Sequence, residues 1–266
     1  MGSKPKVPDD HITNERARLF HLLVHDIRGP LSIVSVGAKN LRHKADRYGP
    51  LTVNQKRLLD RILRNVGKAQ SFIHEMTEIL RSEEGAFQVG EFSVEASVKE
   101  SLLDALEMTA PTIFEELYHA ESGEEFQALI KKHGIAVEIG GKYRGSPFCH
   151  DAKKIQQILR NLMTNAMKYR RTQMGVRISG EVDLAIVVED DGPGIPPEAY
   201  GAVFAPFVQV TAHTDSCVPG LGFGLTGVRI LVKAMGGDIR WESREGAGTR
   251  FVVRVPPVHP AENHSE

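Results

Sequence analysis

Two stretches near the start of the chain repeat apolar residues in alternating steps of four and three. In the first stretch, the repeating positions are Phe20, Val24, Ile27, Leu31, Val34, Ala38 and Leu41. In the second stretch, they are Leu59, Ile62, Val66, Ala69, Ile73, Met76 and Leu80. Such steps place one continuous apolar seam along a helix, as in coiled coils. The sequence therefore predicts two long helices, one over residues 11–45 and one from residue 52 onward.

A short break separates the two helices. Gly49-Pro50 interrupts the first pattern, and Thr52-Val-Asn-Gln55 has the form of a capping box that starts the second helix. A helical hairpin of this kind cannot bury both sides of its apolar seams by itself. We therefore expect two copies of the chain to pair as a dimeric four-helix bundle. The alternative is a hairpin that packs on the rest of its own chain.

After residue 84 the pattern changes to short strands and amphipathic helices. Strands are predicted at about 87–93, 135–140, 176–180, 184–190, 238–243 and 249–255. Helices are predicted at about 95–109, 122–133, 151–170 and 221–236. Segment 184–188 is apolar throughout, which predicts a central strand, and Gly180-Glu-Val-Asp183 predicts a hairpin turn. The pattern predicts a sheet with helices on one face, an α+β two-layer sandwich.

The domain organisation follows from these segments. It comprises a disordered leader at 1–10, a helical hairpin at 11–83, a second domain at 84–256 and a tail at 257–266. No apolar run approaches the roughly 18–20 residues of a membrane span, so we expect a soluble, cytoplasmic chain. The formal net charge of -1 lacks the basic excess of nucleic-acid-binding proteins.

One histidine of the first helix is a candidate nucleophile. His25 follows the seam residue Val24 by one position, so it projects from the flank of the bundle. A neutral imidazole nitrogen is a competent nucleophile, and Asp26 is placed to hold the ring tautomer or to take the proton as a general base. A lone histidine on a helix surface is more often inert, so this interpretation depends on the rest of the chain.

The helix predicted at 151–170 carries an unusual polar face. Its apolar stripe is formed by Ile155, Leu159, Leu162, Ala166 and Tyr169. The other face carries Gln157, Asn161, Asn165 and Lys168 at steps of four, four and three. Asparagine is a poor helix former, so its presence here indicates a ligand. Amide oxygens suit Mg²⁺ and the lysine suits a phosphate, although a solvated polar face is the alternative.

A carboxylate and two glycines follow the central strand. Asp190 ends the strand predicted at 184–190, where its carboxylate is able to accept a hydrogen bond from the amino group of adenine. Gly192 and Gly194 let the backbone turn and approach a base closely. The segment therefore predicts the base end of a nucleotide pocket.

A second glycine segment, Gly220, Gly222 and Gly224, opens the last predicted helix. Backbone amides at a helix N-terminus bind phosphate, and glycines let the phosphate come near. Phe204 and Phe207 precede a polar stretch that we predict to be a mobile lid hinged by the two rings. Packing of the two rings in the core is the alternative, and both interpretations can hold.

Together these segments resemble the sensor histidine kinases of two-component signalling, over about residues 15–256. Five motifs occur in the order of that family. They are an H box at His25–Leu31, an N box at Asn161–Lys168, a G1 box at Asp190–Gly194, an F box at Phe204–Phe207 and a G2 box at Gly220–Gly224.

The resemblance implies a dimerisation and phosphotransfer hairpin followed by an ATP-binding domain with the Bergerat fold. It implies that ATP phosphorylates His25, which then donates the phosphoryl group to an aspartate of a response regulator receiver domain. It further implies Mg²⁺ at Asn165, phosphate contacts from Asn161 and Lys168, and adenine at Asp190. The residues expected to complete the nucleotide site are Tyr169, Gly192, Gly194, Phe204, Phe207, Gly220, Gly222 and Gly224.

The chain departs from the family pattern in three places. Gly29 stands where many members carry a Thr or Asn that positions water to dephosphorylate the regulator, so we predict weak phosphatase activity. Residues 110–133 are longer than the usual link, which indicates a partner-docking insert or a longer surface loop with an extra helix. This sequence shows no sensor domain before the hairpin, so we expect an excised core or a chain that takes its signal from a separate sensor or upstream protein.

Three other functions share part of this pattern. A chaperone or DNA-repair ATPase of the same fold has the ATP motifs without the hairpin, and so does a serine-directed protein kinase. A scaffold that dimerises and binds a regulator needs no intact ATP motifs. The chemical stability of the bound phosphate distinguishes these functions.

Overall fold

The computed structural model describes residues 10–83, 87–205 and 224–258. The chain divides into two compact units, Met1–Arg81 and Ser82–Glu266. Among the described residues, no helix combines the length and the apolar composition that crossing a bilayer requires.

The first unit is helical. Helix α1 spans Asp10–His43, the short helix α2 spans Ala45–Tyr48, and α3 spans Val53–Glu83. The two long helices predicted from the heptad seams are therefore confirmed. The first helix was predicted to run to residue 45 as one piece, but it ends at His43 and a separate short turn follows.

The turn between the long helices has the predicted chemistry. The backbone N–H of Gln55 donates to the Thr52 hydroxyl over 3.3 Å, and the Gln55 amide oxygen accepts from the Thr52 N–H over 2.8 Å. This reciprocal pair is a capping box, as predicted. Beside it, Arg42 of α1 donates to the Asp60 carboxylate of α3 over 2.9 Å, which ties the two helices near the turn.

The apolar seam of α1 is only partly covered within one copy of the chain. Ala38 is buried, whereas Ile27, Val34 and Leu41 keep 49%, 46% and 40% of their surface exposed. Transfer of such side chains out of water is favourable by roughly 25 cal/mol per Å² of apolar surface. The hairpin therefore presents an apolar stripe to solvent.

The second unit contains a five-stranded sheet in the order β2-β4-β5-β7-β6. Its strands are β2 (Ile135–Ile139), β4 (Met174–Ser179), β5 (Leu184–Asp190), β6 (Asp238–Arg244) and β7 (Gly248–Val255). Strands β2 and β4 are parallel and the other pairs are antiparallel. Strand β5 occupies the centre and a tight turn joins it to β4, both as predicted.

Helices α4 (Val94–Thr109), α7 (Ala152–Tyr169) and α8 (Gly224–Ala234) form the second layer, with α7 and α8 lying on the sheet and α4 packing on α7. Fully buried side chains at the interface of the layers include Leu102, Ile158, Leu162, Ile178, Ile186, Val228 and Val253. The predicted two-layer α+β architecture is thus confirmed.

The opposite face of the sheet is charged. Arg177 lies 3.1 Å from the Glu138 carboxylate and 3.9 Å from that of Glu189, and Arg250 lies 3.8 Å from Glu189 on its other side. Oppositely charged residues on neighbouring strands form favourable cross-strand pairs. These ion pairs make this face of the sheet polar, so α7 and α8 pack on the other face.

Two short elements were missed by the sequence patterns. Strand β3 (Phe148–His150) pairs with β1 (Gly90–Phe92) in a small separate sheet, and three residues are too few to show a period. Helix α5 (Pro111–Tyr118) precedes α6 (Gly123–Lys132) in the extended link. Its proline lies at the first helical position, where proline is favoured.

Candidate functional site

Helix α7 is the element on which the candidate site is built. The Asp151 carboxylate caps its start by accepting from the backbone N–H of Lys154 over 3.2 Å. At its end, the Arg170 N–H donates to the carbonyl of Ala166 over 2.9 Å. Its apolar stripe is buried at Ile155, Leu159, Leu162 and Ala166, as predicted. The burial of that stripe fixes which side of the helix faces away from the sheet.

The polar face of α7 is accessible over its second half. Asn161, Asn165 and Lys168 are half-buried. Two predictions for this helix are wrong. Tyr169, expected in the buried stripe, keeps 38% of its surface exposed because it is the last helical residue and lies at the edge of the core. Gln157, expected on the open face, is buried, so the accessible polar face begins at Asn161.

Asp190 lies at the end of the central strand. Its backbone pairs with Met174 on one side and with Thr249 on the other. One carboxylate oxygen accepts from the Gly192 N–H over 2.9 Å, which orients the side chain. Burial raises the pKa of the Asp190 carboxyl to about 6, although hydrogen bonds from Gly192 and Thr249 oppose that rise. A half-buried carboxylate that favours an additional hydrogen-bond donor thus lies at this position.

The glycines after Asp190 are required by close backbone contacts. A Cβ at Gly192 would lie 2.3 Å from the Tyr169 carbonyl oxygen and 2.6 Å from the Asp190 carboxylate. Gly194 has a φ of 73°, and a Cβ there would lie 2.2 Å from the Arg244 carbonyl oxygen. Only glycine allows these approaches. The approach at Gly192 brings the segment after β5 against the last turn of α7, and the approach at Gly194 brings it against the end of β6.

The start of α8 lies beside the middle of α7. A Cβ at Gly224 would lie 3.9 Å from the Asn161 amide carbon, so the first residue of α8 faces this amide. Phe204 is tied to the same helix, because its carbonyl accepts from the Thr226 hydroxyl over 3.0 Å and its ring lies 5.4 Å from the Arg229 guanidinium. The first residue of α8 therefore lies next to the polar face of α7.

Several predicted site residues fall outside what the structure describes. Phe207, Gly220 and Gly222 belong to residues 206–223, which are outside the described residues. His25 and Asp26 lie within helix α1, but their side chains are outside the described residues.

The residues that are described fit a nucleotide with Mg²⁺. The amide oxygens of Asn161 and Asn165 are hard ligands, and Lys168 supplies a cation on the same face. Mg²⁺ in proteins commonly takes only one or two protein ligands and completes its shell with water and phosphate oxygens. The donor set along α7 meets that requirement.

Sequence reasoning missed the residues that support this site. The Asp191 carboxylate accepts from the N–H groups of Arg171 and Thr172 over 2.8 and 3.0 Å. The Ser243 hydroxyl accepts from the Ile195 N–H over 2.8 Å. The pair Asp190-Asp191 was visible in the sequence, but no local signal identifies partners this distant along the chain.

A depression of about 790 Å³ lies on the charged face of the sheet. It is lined by strand residues that include Gly175, Glu189, Glu242 and Arg250. Within the described part of the chain, the polar side chains of α7 do not line it. Asp190 does line it, so the depression adjoins the candidate nucleotide site at the end of β5.

We expect Asp190→Asn to stabilise the nucleotide-free protein at pH 8. Because burial raises the folded-state pKa to about 6 from an ordinary value of 3.8, the folded protein holds this proton more tightly than the unfolded chain. The stability present at low pH is lost as pH rises through 6, at a cost on the order of 2–3 kcal/mol. Asparagine is neutral and retains an acceptor for the Gly192 N–H.

Denaturant unfolding at pH 8, 6 and 4.5 measures this effect. The gain in unfolding free energy should shrink as pH falls toward 4.5. Asp183→Asn, in the exposed turn between β4 and β5, is the control and should leave the pH profile unchanged. An Asp190→Asn protein no more stable than wild type at pH 8 would show that the carboxylate carries no burial cost.

Comparison with known proteins identifies the family to which this domain is similar. Residues 150–259, which include α7, Asp190 and α8, match the family described as "Histidine kinase-, DNA gyrase B-, and HSP90-like ATPase".

Three relatives align with most of the chain. An adaptive-response sensory kinase, SasA, of a Synechococcus species is 31% identical over 90% of this chain and 59% of its own length. The circadian input-output histidine kinase CikA of Synechococcus elongatus is 29% identical over 89% of this chain and 30% of its own length. The sensor protein RstB of Escherichia coli is 28% identical over 81% of this chain and 52% of its own length. The chain thus spans only part of each of these relatives.

Two solved structures share the fold. Full-length ShkA in complex with AMPPNP superposes with a TM-score of 0.64 at 23% identity, over 92% of this chain and 46% of that chain. The histidine kinase AdeS of Acinetobacter baumannii gives a TM-score of 0.52 at 20% identity, over 88% of this chain and 98% of that chain. At these identities the likeness concerns the fold.

Proposed function

We propose that the chain is a sensor histidine kinase, as its similarity to the relatives above supports, and that it transfers the γ-phosphoryl group of ATP to His25 and then to an aspartate of a response regulator receiver domain. The observation that carries this proposal is the placement of α7. Its face of Asn161, Asn165 and Lys168 runs from the half-buried carboxylate of Asp190 to the N-terminus of α8. A nucleotide needs these groups in that order, with base acceptor, cation ligands and phosphate amides along one groove.

Each residue of the proposed reaction has one role. Asp190 accepts a hydrogen bond from the adenine amino group, and the amides of α8 with Lys168 hold the phosphates. The lone pair of one His25 ring nitrogen forms the N–P bond while the P–O bond to ADP breaks, and Asp26 orients the ring and takes the proton from its other nitrogen. Asn165 would hold Mg²⁺, which would offset the negative charge of the phosphate oxygens.

The two units would divide this work. Residues 11–83 serve as the dimerisation and phosphotransfer hairpin, and residues 84–256 serve as the catalytic ATP-binding domain. The relatives named above are sensory and sensor kinases, which supports a receiver domain as the acceptor and a separate sensor or upstream protein as the source of the signal. The proposed location is the cytoplasm, where ATP is available.

Labelling with γ-labelled ATP and Mg²⁺ tests this function. Incorporated label that acid removes and base does not is the expected result, since a phosphorus–nitrogen bond to imidazole is acid-labile. Acid-stable label would identify a serine-directed kinase. Release of phosphate without retained label would identify an ATPase of another class, and a protein that shows no ATP binding by calorimetry would be a scaffold.

We expect the hairpin to form a dimer through the exposed seam of α1. Val34 lies on the seam and Val36 lies off it, and they keep 46% and 57% of their surface exposed in the single chain. A charge at a bundle seam leaves an unpaired buried ion, so Val34→Glu should give monomers at micromolar concentration. Val36→Glu is the matched control and should remain dimeric. Light scattering after gel filtration measures both, and a dimeric Val34→Glu protein would place the interface elsewhere.

We expect weak phosphatase activity toward the phosphorylated regulator. Gly29 carries no side chain to position water, and nothing lies within 4 Å of the position that its Cβ would occupy. A threonine therefore fits without steric conflict, and Gly29→Thr should increase the dephosphorylation rate by about tenfold or more, as expected for a group that orients the reacting water. The rate of phosphate loss from the purified phosphorylated regulator measures this. Rapid loss with the wild-type protein would contradict the expectation.

A further inference from the structure

The carboxylate of Asp191 joins two elements of the nucleotide site. One oxygen accepts from the N–H groups of Arg171 and Thr172 over 2.8 and 3.0 Å. The other oxygen accepts from the N–H and the hydroxyl of Thr172 over 3.0 and 2.5 Å. The Asp191 backbone N–H in turn donates to the carbonyl of Gln173 over 3.2 Å. Residue 191 is therefore held on both its side chain and its backbone by the three residues 171–173.

These three residues directly continue α7. The helix ends at Tyr169, and Arg170 follows as its C-cap. The Asp191 contacts therefore fix the end of β5 to the end of the helix that carries Asn161, Asn165 and Lys168. Charge-assisted hydrogen bonds of this kind are shorter and stronger than neutral ones. The hydrogen bonds outweigh the effect of burial and hold the pKa of the Asp191 carboxyl well below its usual range, so this carboxylate is ionised at neutral pH.

The loop after Asp191 is held from its other side by the turn between β6 and β7. The Gly246 N–H donates to the Pro193 carbonyl over 2.6 Å, and the Ile195 N–H donates to the Ser243 hydroxyl. Arg171 connects the two sides, since its guanidinium donates to the Gly246 carbonyl over 3.1 Å. Residues 191–195 are thus fixed between two supports.

The position of Asp191 determines the orientation of Asp190. The Asp190 carboxylate is aimed by the Gly192 N–H, and that N–H belongs to the peptide group that follows Asp191. If residue 191 moves, the Gly192 N–H moves with it and the carboxylate loses its orientation. The contact of Gly192 with the Tyr169 carbonyl, which leaves no room for a Cβ, would change as well.

We propose that Asp191 is a positioning residue for adenine recognition. It acts by holding the end of β5 against the segment that follows α7. The inference rests on the proposed function, since it takes Asp190 as the acceptor for the adenine amino group. Adenine presents an amino donor where guanine presents a carbonyl acceptor. A correctly aimed carboxylate therefore favours ATP and repels GTP, and a misaligned carboxylate discriminates less.

The test compares ATP and GTP binding by the full chain. Asp191→Ala removes every side-chain contact of the clamp and should weaken ATP binding about tenfold or more, as expected for the loss of hydrogen bonds to a charged group. GTP binding should change less, so the ratio of the two affinities falls. The KM for ATP in autophosphorylation should rise while kcat at saturating ATP is retained. Partial unfolding would lower the fraction of active protein without changing the affinity ratio.

Two further variants keep the outcome decisive. Thr172→Val removes only the hydroxyl donor and should shift the affinity ratio in the same direction by a smaller factor. It decides the question if Asp191→Ala does not fold. Asp183→Asn, in the exposed β4–β5 turn, is the control and should bind both nucleotides as wild type does.

Each result has one meaning. An unchanged ATP to GTP ratio in folded Asp191→Ala, or in Thr172→Val if only that variant folds, overturns the inference while wild-type ATP binding still supports the proposed function. A wild-type protein that binds neither nucleotide overturns the proposed function, and the inference falls with it.

Discussion

Replacing His25 with alanine is expected to abolish the acid-labile phosphoryl label that the wild-type protein takes from ATP. Alanine offers no nucleophile, so the signal should fall to background even though ATP still binds. Radiolabelling with γ-labelled ATP measures the label, and calorimetry measures the binding. Loss of label with retained binding would identify His25 as the acceptor.

His43→Ala is the matched control for this experiment. His43 lies on the same helix and is exposed, and its ring nitrogen lies 3.0 Å from the Lys39 carbonyl oxygen. Its removal should leave labelling at the wild-type level. Label that persists in His25→Ala would mean that another residue accepts the phosphoryl group, whereas loss in both variants would mean that the hairpin itself is damaged.

Replacing Asn165 with alanine is expected to reduce autophosphorylation by about 100-fold or more. That is the loss expected when a group that stabilises charge in the transition state is removed. Asn165 lies half-buried on the polar face of α7, where its amide oxygen is the proposed Mg²⁺ ligand. Initial labelling rates at saturating ATP and varied Mg²⁺ measure the effect. Binding of the nucleotide without Mg²⁺ should be unchanged, because Asp190 at the other end of the groove still holds the base.

Gln156→Ala tests whether any lost amide on α7 has the same effect. The Gln156 amide donates to the Glu100 carboxylate over 2.6 Å at the surface, away from the proposed site. Its loss should leave labelling and Mg²⁺ dependence unchanged. If Asn165→Ala labelled at the wild-type rate at every Mg²⁺ concentration, Asn165 would not be a metal ligand.

The proposed clamp at Asp191 gives the groove a physical basis for rigidity. Two neighbouring carboxylates have opposite environments, since burial raises the pKa of Asp190 while hydrogen bonds lower that of Asp191. Both oxygens of the Asp191 carboxylate accept hydrogen bonds, whereas the half-buried Asp190 carboxylate has fewer donors. The first is therefore suited to hold structure, and the second is suited to receive a ligand.

The charged face of the sheet has a different character. Its ion pairs lie between exposed side chains at 3.1 to 3.9 Å, and such pairs contribute little individually. Their alternation across the strands keeps this face polar, so the helices pack only on the other. This arrangement leaves α7 and α8 on the side where the proposed groove lies.

The two long helices, the capping box at Thr52 and the central strand β5 were all predicted correctly from the amino-acid sequence. These follow from periodicity and local hydrogen bonding, which neighbouring residues record. The sequence also predicted which face of α7 is apolar, although Tyr169 and Gln157 were placed wrongly. The period of a helix gives the direction of a side chain, but not where the surrounding core begins and ends.

The tertiary structure alone reveals how the candidate site is supported. It placed Asp191 against residues 171–173 and Ile195 against Ser243, brought Gly224 beside Asn161, and showed that the Gly192 contact leaves no room for a side chain. It also showed that Ile27, Val34 and Leu41 of the α1 seam stay exposed in one copy of the chain. These contacts join residues that are distant along the chain, and they form only when the layers pack, so no local pattern of residue types encodes them.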